Sequence, residues 1–288
     1  MGLTVRSASH ALTLEQVVER LALHELVEGV VLVGSQARDA ITPWSDYDIL
    51  LVLRSMPAPL AVAYAWVGGR MADVIFVDVE AIRRIGREGV PIPVEGPDSS
   101  LARWLKAGHV VFDRGEIRQA RQAILSRDRS EPAGFAAKYT AWFSINYNLN
   151  HNKRMLATED PVYLLAVDLR LLYSVFDVLT GYFRFRDIPW RGEKEAIRFL
   201  AVHDADFLDV LRACLAETER TRKVALYEQL AGRTVEPMED LWPAESTAVQ
   251  FDPGASLTPE TVRRGLQFWE ELIGQQPAGE SSDTPAGY

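Results

Sequence analysis

The chain has 288 residues, enough for one large domain or two ordinary ones. Its 48% apolar and 25% charged residues are the proportions of a globular protein, and its single cysteine, Cys214, excludes an internal disulfide and a cysteine-cluster metal site. A net charge of −9 argues against a long nucleic-acid partner, whose phosphates are usually met by a basic surface, and is compatible with a cationic small substrate.

The first residues lack the basic-then-apolar pattern of a signal peptide. Thr13 and Gln16 make a capping-box pattern, and Leu14, Val17, Val18 and Leu21 form an apolar stripe that Ala22 and Leu26 continue. The spacing predicts a helix over 14–27, ended by Gly29. Val30–Val33, Ile49–Leu53 and Val74–Val77 are short runs of strand composition, with a shorter one at His109–Phe112. Strands alternating with helical or turn segments predict an α/β domain over 1–128. The polar stretch 126–134, with Pro132 and Gly134, places a boundary there.

Beyond it the pattern is helical. One helix is expected from Phe135 to about Ala157. Asp160-Pro161 then supplies an N-cap and a proline at the first helical position, opening a second helix that runs to about Thr180 with Gly181 as its stop. Its apolar run is broken by Asp168, Arg170 and Asp177, so it falls short of the ~18 uninterrupted apolar residues of a membrane span. Further helices are expected over 193–203, 205–231 and 259–273, the last capped at Thr258-Pro259. The whole reads as an α+β protein: an N-terminal α/β domain, an all-α helical bundle over 129–274, and a disordered tail over 275–288. A cytoplasmic protein with no membrane partner is the expectation.

The chemistry concentrates in "VLVGSQARDAITPWSDYDILLVL", 31–53. Side chains alternate along a strand, so Asp46 and Asp48 point the same way. Two such carboxylates repel unless a cation lies between them, and Mg²⁺ favours a few carboxylates plus phosphate oxygens. Gly34 would let backbone approach a phosphate, the Ser35 hydroxyl could donate to it, and the N–H groups near Gln36 and Ala37 would open a short anion-attracting helix. Together these read as a metal–triphosphate site.

Gly34-Ser35, ten intervening residues, then Asp46-Tyr47-Asp48 and "ILLVL" resemble the signature of the DNA polymerase beta-like nucleotidyltransferase superfamily. The form is similar to that of the minimal nucleotidyltransferases and of the aminoglycoside and lincosamide nucleotidyltransferases. The resemblance covers about twenty residues. It implies a small mixed sheet with flanking helices and a third acidic residue on a later strand. Of the two candidates, Asp73 lies on the face of Ile75 and Val77, while Asp78 ends the run on the other face and suits the N-cap of the next helix. Asp73 is therefore expected to complete the metal site or to act as base on the acceptor hydroxyl. Arg38 matches the arginine of the "GSxAR" form, with phosphate contact and a salt bridge to Asp39 or Asp46 as its two roles.

The resemblance further implies that the helix after the catalytic domain closes the nucleotide cleft and offers a lysine to the phosphates. Asn146, Asn150 and Lys153 share a face there, and Lys153 with Asn150 beside it are the candidates. Arg198 and His203 resemble the Arg-x4-His element of HEPN-type ribonucleases, a short spacing that chance often supplies. The expected reaction is Mg²⁺-dependent transfer of AMP from ATP to a hydroxyl of a small-molecule acceptor, of the aminoglycoside or lincosamide kind, with release of pyrophosphate. Two other readings fit the motif: an antitoxin-type enzyme that adenylylates a protein, and a catalytically silent nucleotide-binding regulator.

Overall fold

A computed structural model of the chain describes residues 8–34, 42, 45–87, 89–125, 130–243, 245–252 and 254–274. The chain divides into two compact units, Met1–Pro132 and Ala133–Tyr288, a boundary four residues beyond the one expected from the sequence. Ser35, Arg38, the 36–37 helix start and the 275–288 tail lie outside the described residues.

The first unit is built on a five-stranded mixed sheet of order β3-β4-β2-β1-β6. Its strands are β1 (Val27–Val33), β2 (Tyr47–Leu53), β3 (Val62–Val67), β4 (Arg70–Asp78) and β6 (His109–Asp113); two-residue strands β5 (Ile92–Pro93) and β7 (Ser130–Glu131) pair separately. β1 runs antiparallel to β2 and β6, β2 parallel to β4, and β3 antiparallel to β4. Helix α1 (Leu14–Leu23) lays Leu14, Val17, Val18 and Leu21 on the face made by Val30, Ile49 and Leu51. The opposite face, with Val31, Val33, Leu50 and Val52, is covered by α2 (Val79–Gly86), α3 (Pro97–Ala107) and α4 (Glu116–Leu125) through Ile82, Leu105 and Ile117. Each fully buried Leu or Ile here contributes about 1.5–3 kcal/mol. Burial on both faces explains why β1 and β2 read as unbroken apolar runs.

Helix α1 has the expected capping box but stops at Leu23, with His24 as C-cap. The chain turns early because Arg114 draws in the carbonyls of Ala22 and Val27 (3.3 and 2.8 Å). Gly29 therefore lies inside β1, opposite Val52. The sequence reading also missed β3. Its signal was Gly68-Gly69, both at positive φ (56° and 78°), between the paired residues Val67 and Arg70. That is a two-residue hairpin turn, the kind that glycine pairs favour.

The second unit comprises α5 (Phe135–Leu156), α6 (Pro161–Phe185), α7 (Glu193–His203), α8 (Ala205–Ala216), α9 (Arg220–Val235) and α10 (Pro259–Gly274). Its core gathers Ile145, Leu171, Val178, Leu200, Phe207 and Tyr227 from five of these helices. Two expectations are corrected. α6 runs through Gly181 to Phe185, because a Cβ at Gly181 would fall 2.8 Å from Ile145 Cδ1; the glycine serves close helix packing, not termination. The 205–231 segment is two helices, because Glu217 accepts the N–H groups of Thr218 and Glu219, and Glu219 caps α9 through Thr221 and Arg222. Among the described residues, no helix is long and apolar enough to cross a membrane.

Candidate active site

The register of the sheet brings Asp48 and Asp73 together. In one row across four strands stand Val33 of β1, Asp48 of β2, Asp73 of β4 and Tyr64 of β3. Asp46, two residues before Asp48 and just ahead of β2, joins the same cluster. One carboxylate oxygen from each of Asp46, Asp48 and Asp73 lies within 4.8 Å of the others, and all three residues are half-buried. Asp78 is elsewhere: its carboxylate caps α2, accepting from the Glu80 N–H at 2.7 Å. The choice of Asp73 over Asp78 as neighbour of the motif thus agrees with strand alternation.

Gly34 ends β1 beside the cluster. Its φ is +66°, and a Cβ there would fall 2.0 Å from Asp48 Oδ2. The glycine both makes the turn and leaves the carboxylate its place. Asp73 carries the electrostatic cost of the arrangement. Its Oδ1 is buried and has no hydrogen-bond partner among the described residues, and its pKa is raised, first by burial and then by the charge of Asp46. A buried acceptor oxygen without a donor, beside two further carboxylates, fits a hard divalent cation.

Sequence reasoning missed two residues around the cluster. Arg70, the first residue of β4, donates to the carbonyls of Thr42 (2.9 Å) and Ser45 (2.6 Å) and lies 5.2 Å from the centroid of the Tyr47 ring. With the Thr42–Ser45 turn, whose hydroxyls meet at 3.0 Å, it holds the chain just ahead of Asp46. Tyr64 continues the row past Asp73 and is 78% exposed, with Trp66 and Met71 also exposed nearby. Neither residue could be placed without the hairpin.

The expected residues of the helical unit are occupied within that unit. Asn146 is fully buried; its amide donates to the Trp142 carbonyl (2.9 Å) and accepts from the Trp242 N–H (2.7 Å). Asn150 donates to the Asn146 carbonyl at 3.0 Å, and Lys153 forms an ion pair with Glu228 of α9. Arg198 pairs with Glu195 of its own helix, and His203 packs on Phe199, so the Arg-x4-His pair is not joined.

A small mixed sheet thus aligns three carboxylates at the end of a glycine-terminated strand, a donor set that fits a divalent cation. Residues 14–84 match the nucleotidyltransferase domain family, so the chain carries a nucleotidyltransferase domain and is a transferase. Members of such a family take a nucleoside triphosphate and transfer its nucleoside monophosphate. Among solved structures, the chain is similar to a nucleotidyltransferase-like protein from Exiguobacterium sibiricum 255-15, at 12% identity and a TM-score of 0.42, over 77% of this chain and 73% of the other. No curated protein matches the chain.

Proposed function

We propose that the protein transfers AMP from ATP to a hydroxyl group of a small-molecule acceptor and releases pyrophosphate. The observation that carries this reading is the Asp46–Asp48–Asp73 cluster, with its three oxygens within 4.8 Å and the Asp73 Oδ1 without a partner among the described residues. Asp46, Asp48 and Asp73 would hold Mg²⁺. When bound, the cation supplies positive charge against the phosphate oxygens and the leaving pyrophosphate.

The remaining work falls to the chain. Gly34 and Ser35 meet the triphosphate with backbone and hydroxyl donors, and Arg38 is the side chain proposed to contact the nucleotide. Asp48 and Asp73 fix the line of attack. The acceptor oxygen bonds to the α-phosphorus as the bond to the β-phosphate oxygen breaks, and the hydroxyl proton passes to Asp73 in the alternative where Asp46 and Asp48 alone hold the cation. Across the sheet, Gly34 lies on the β1 side of the carboxylates and Tyr64 on the β3 side. Nucleotide from the first side and acceptor from the second would give opposed approaches to the phosphorus. An exposed tyrosine with Trp66 nearby, in a protein of net charge −9, favours an acceptor bearing a cationic amine, such as an aminoglycoside or lincosamide.

The test is pyrophosphate release from ATP and Mg²⁺ against a panel of aminoglycosides, lincosamides and simpler amino alcohols, with Asp46→Ala/Asp48→Ala as control. Release that requires one acceptor and disappears in the control supports the proposal. Metal-dependent ATP binding with no release for any member of the panel overturns the small-molecule reading in favour of a protein acceptor or a regulatory role.

A further inference from the structure

Helix α6 is apolar on two faces. Val167, Leu171, Val175 and Val178 are buried in the core of the helical unit. On the other side Val162, Leu165, Leu169, Leu172 and Phe176 recur at three- and four-residue steps, with Tyr163 and Tyr173 beside them, and all are exposed. Val162 is 72% and Leu172 74% exposed. The charged residues of this stretch, Asp168 and Arg170, flank Leu169 and are partly exposed; Asp168 pairs with Arg220 of α9 and Arg170 donates to Asn148. A helix that is hydrophobic all round is ordinarily buried all round, so this face calls for a cover.

The pattern of the face says what covers it. The steps of three and four are those of a coiled-coil seam. Five of the seven are placed symmetrically about Leu169: Leu165 and Tyr173 stand four residues to either side, Val162 and Phe176 seven to either side; Leu172 and Tyr163 mirror the half-buried Ala166 and the buried Val175. In a two-fold contact each copy offers the same surface to the other, so an apolar face of this kind can cover its own counterpart. The seven residues together expose on the order of 800 Å², the area one partner gives to a standard protein–protein interface.

We propose that α6 is a dimer interface, in which two copies of the chain pack α6 against α6, antiparallel, about a two-fold axis at Leu169. Leu169 then meets its own counterpart, Leu165 faces Tyr173 of the second copy, Val162 faces Phe176, and Leu172 faces Ala166. This rests on the helical unit alone and is independent of the reaction proposed above.

The test uses the full chain. Sedimentation equilibrium across micromolar concentrations is expected to give the mass of two chains for the wild type and of one chain for Leu169→Glu. Leu215→Glu, an equally exposed leucine on α8, is expected to leave the dimer intact. Because Cys214 is buried, a cysteine at 169 can be read cleanly: Leu169→Cys is expected to form a disulfide-linked dimer on mild oxidation, and Leu215→Cys is not. A monomeric wild type, a Leu169→Glu protein that remains dimeric, or a Leu169→Cys protein that does not cross-link would each overturn the proposal. Should Leu169→Glu fail to fold, the cysteine experiment decides.

Discussion

Gly34 and Asp48 fit together with no room for a side chain between them: a Cβ on Gly34 would stand 2.0 Å from Asp48 Oδ2. Adding that one carbon must move the carboxylate or the strand end. Gly34→Ala is therefore expected to lower nucleotide transfer by about 100-fold, the usual cost of misplacing a reacting group by about 1 Å. The positive φ adds a strain of about 1–3 kcal/mol. Steady-state kinetics with a circular dichroism control separates the two effects, and full activity in the variant would show that Asp48 is free to relocate.

Asp73 is held at an electrostatic cost, by burial and by the charge of Asp46. Its native pKa lies above the ordinary aspartate value, so between the two values the native state holds the proton more tightly than the unfolded chain does. The group's contribution to stability is thus present at low pH and lost as pH rises through the raised native value. Asp73→Asn is expected to raise the melting temperature of metal-free protein at neutral pH and to flatten this limb of the stability curve. Mg²⁺ should raise the melting temperature of the wild type more than that of the variant. Calorimetry with and without the cation checks both.

Arg70 acts through its neighbours. Its two bonds to the Thr42 and Ser45 carbonyls hold the segment that carries Asp46. Arg70→Met keeps the stem over Tyr47 and removes both bonds. A supporting residue of this kind typically accounts for about 10–100-fold in metal affinity or activity, and the expected signature is a higher Mg²⁺ requirement. An unchanged Mg²⁺ titration would assign Arg70 to the fold alone.

Arg83 of α2 and Glu116 of α4 form a fork, with bonds of 3.1 and 2.6 Å, and the arginine's hydrogen bonds hold the Glu116 carboxyl below its usual range. A lowered native pKa gives stability that is complete above the ordinary glutamate value and lost as pH falls through the native one. Arg83→Met is expected to lower the stability of the first unit at neutral pH and to leave it little changed once Glu116 is protonated, so that acid unfolding begins at higher pH. Acid titration followed by circular dichroism measures the shift.

Gly181→Ala places a methyl 2.8 Å from Ile145 Cδ1 and 3.2 Å from Thr234 Cγ2. Overpacking of this kind costs about 1–3 kcal/mol, against about 1 kcal/mol that alanine returns in a helix interior. Net destabilisation is expected in urea unfolding. Ile145→Val in the same background should recover part of it.

Much of the first unit was legible from local pattern. The capping box at Thr13, the apolar cores of β1, β2 and β4, and the alternation that separates Asp73 from Asp78 all follow from periodicity two or from a cap. What escaped was set by distant partners. Arg114 shortens α1 from more than eighty residues away, and β3 exposes Tyr64 and Trp66 where a core strand would bury them. Gly181 carries the usual mark of a helix stop, yet its role is set by Ile145 on another helix. Lys153 was read from its own helix face, but its ion-pair partner, Glu228, is a residue of α9.

The row Val33–Asp48–Asp73–Tyr64 has a bearing on how the protein can fail. β2 and β4 are parallel and apolar on both faces, so sliding one past the other by a single residue would keep nearly every backbone bond and bury residues of much the same kind. It would also turn Asp73 toward the α1 face and scatter the carboxylates. Secondary-structure content would hardly report such an error. A preparation could melt cooperatively, migrate as a single species and still contain molecules with no reaction centre, and titration of cation-binding sites per chain would be the measure of how many are correctly assembled.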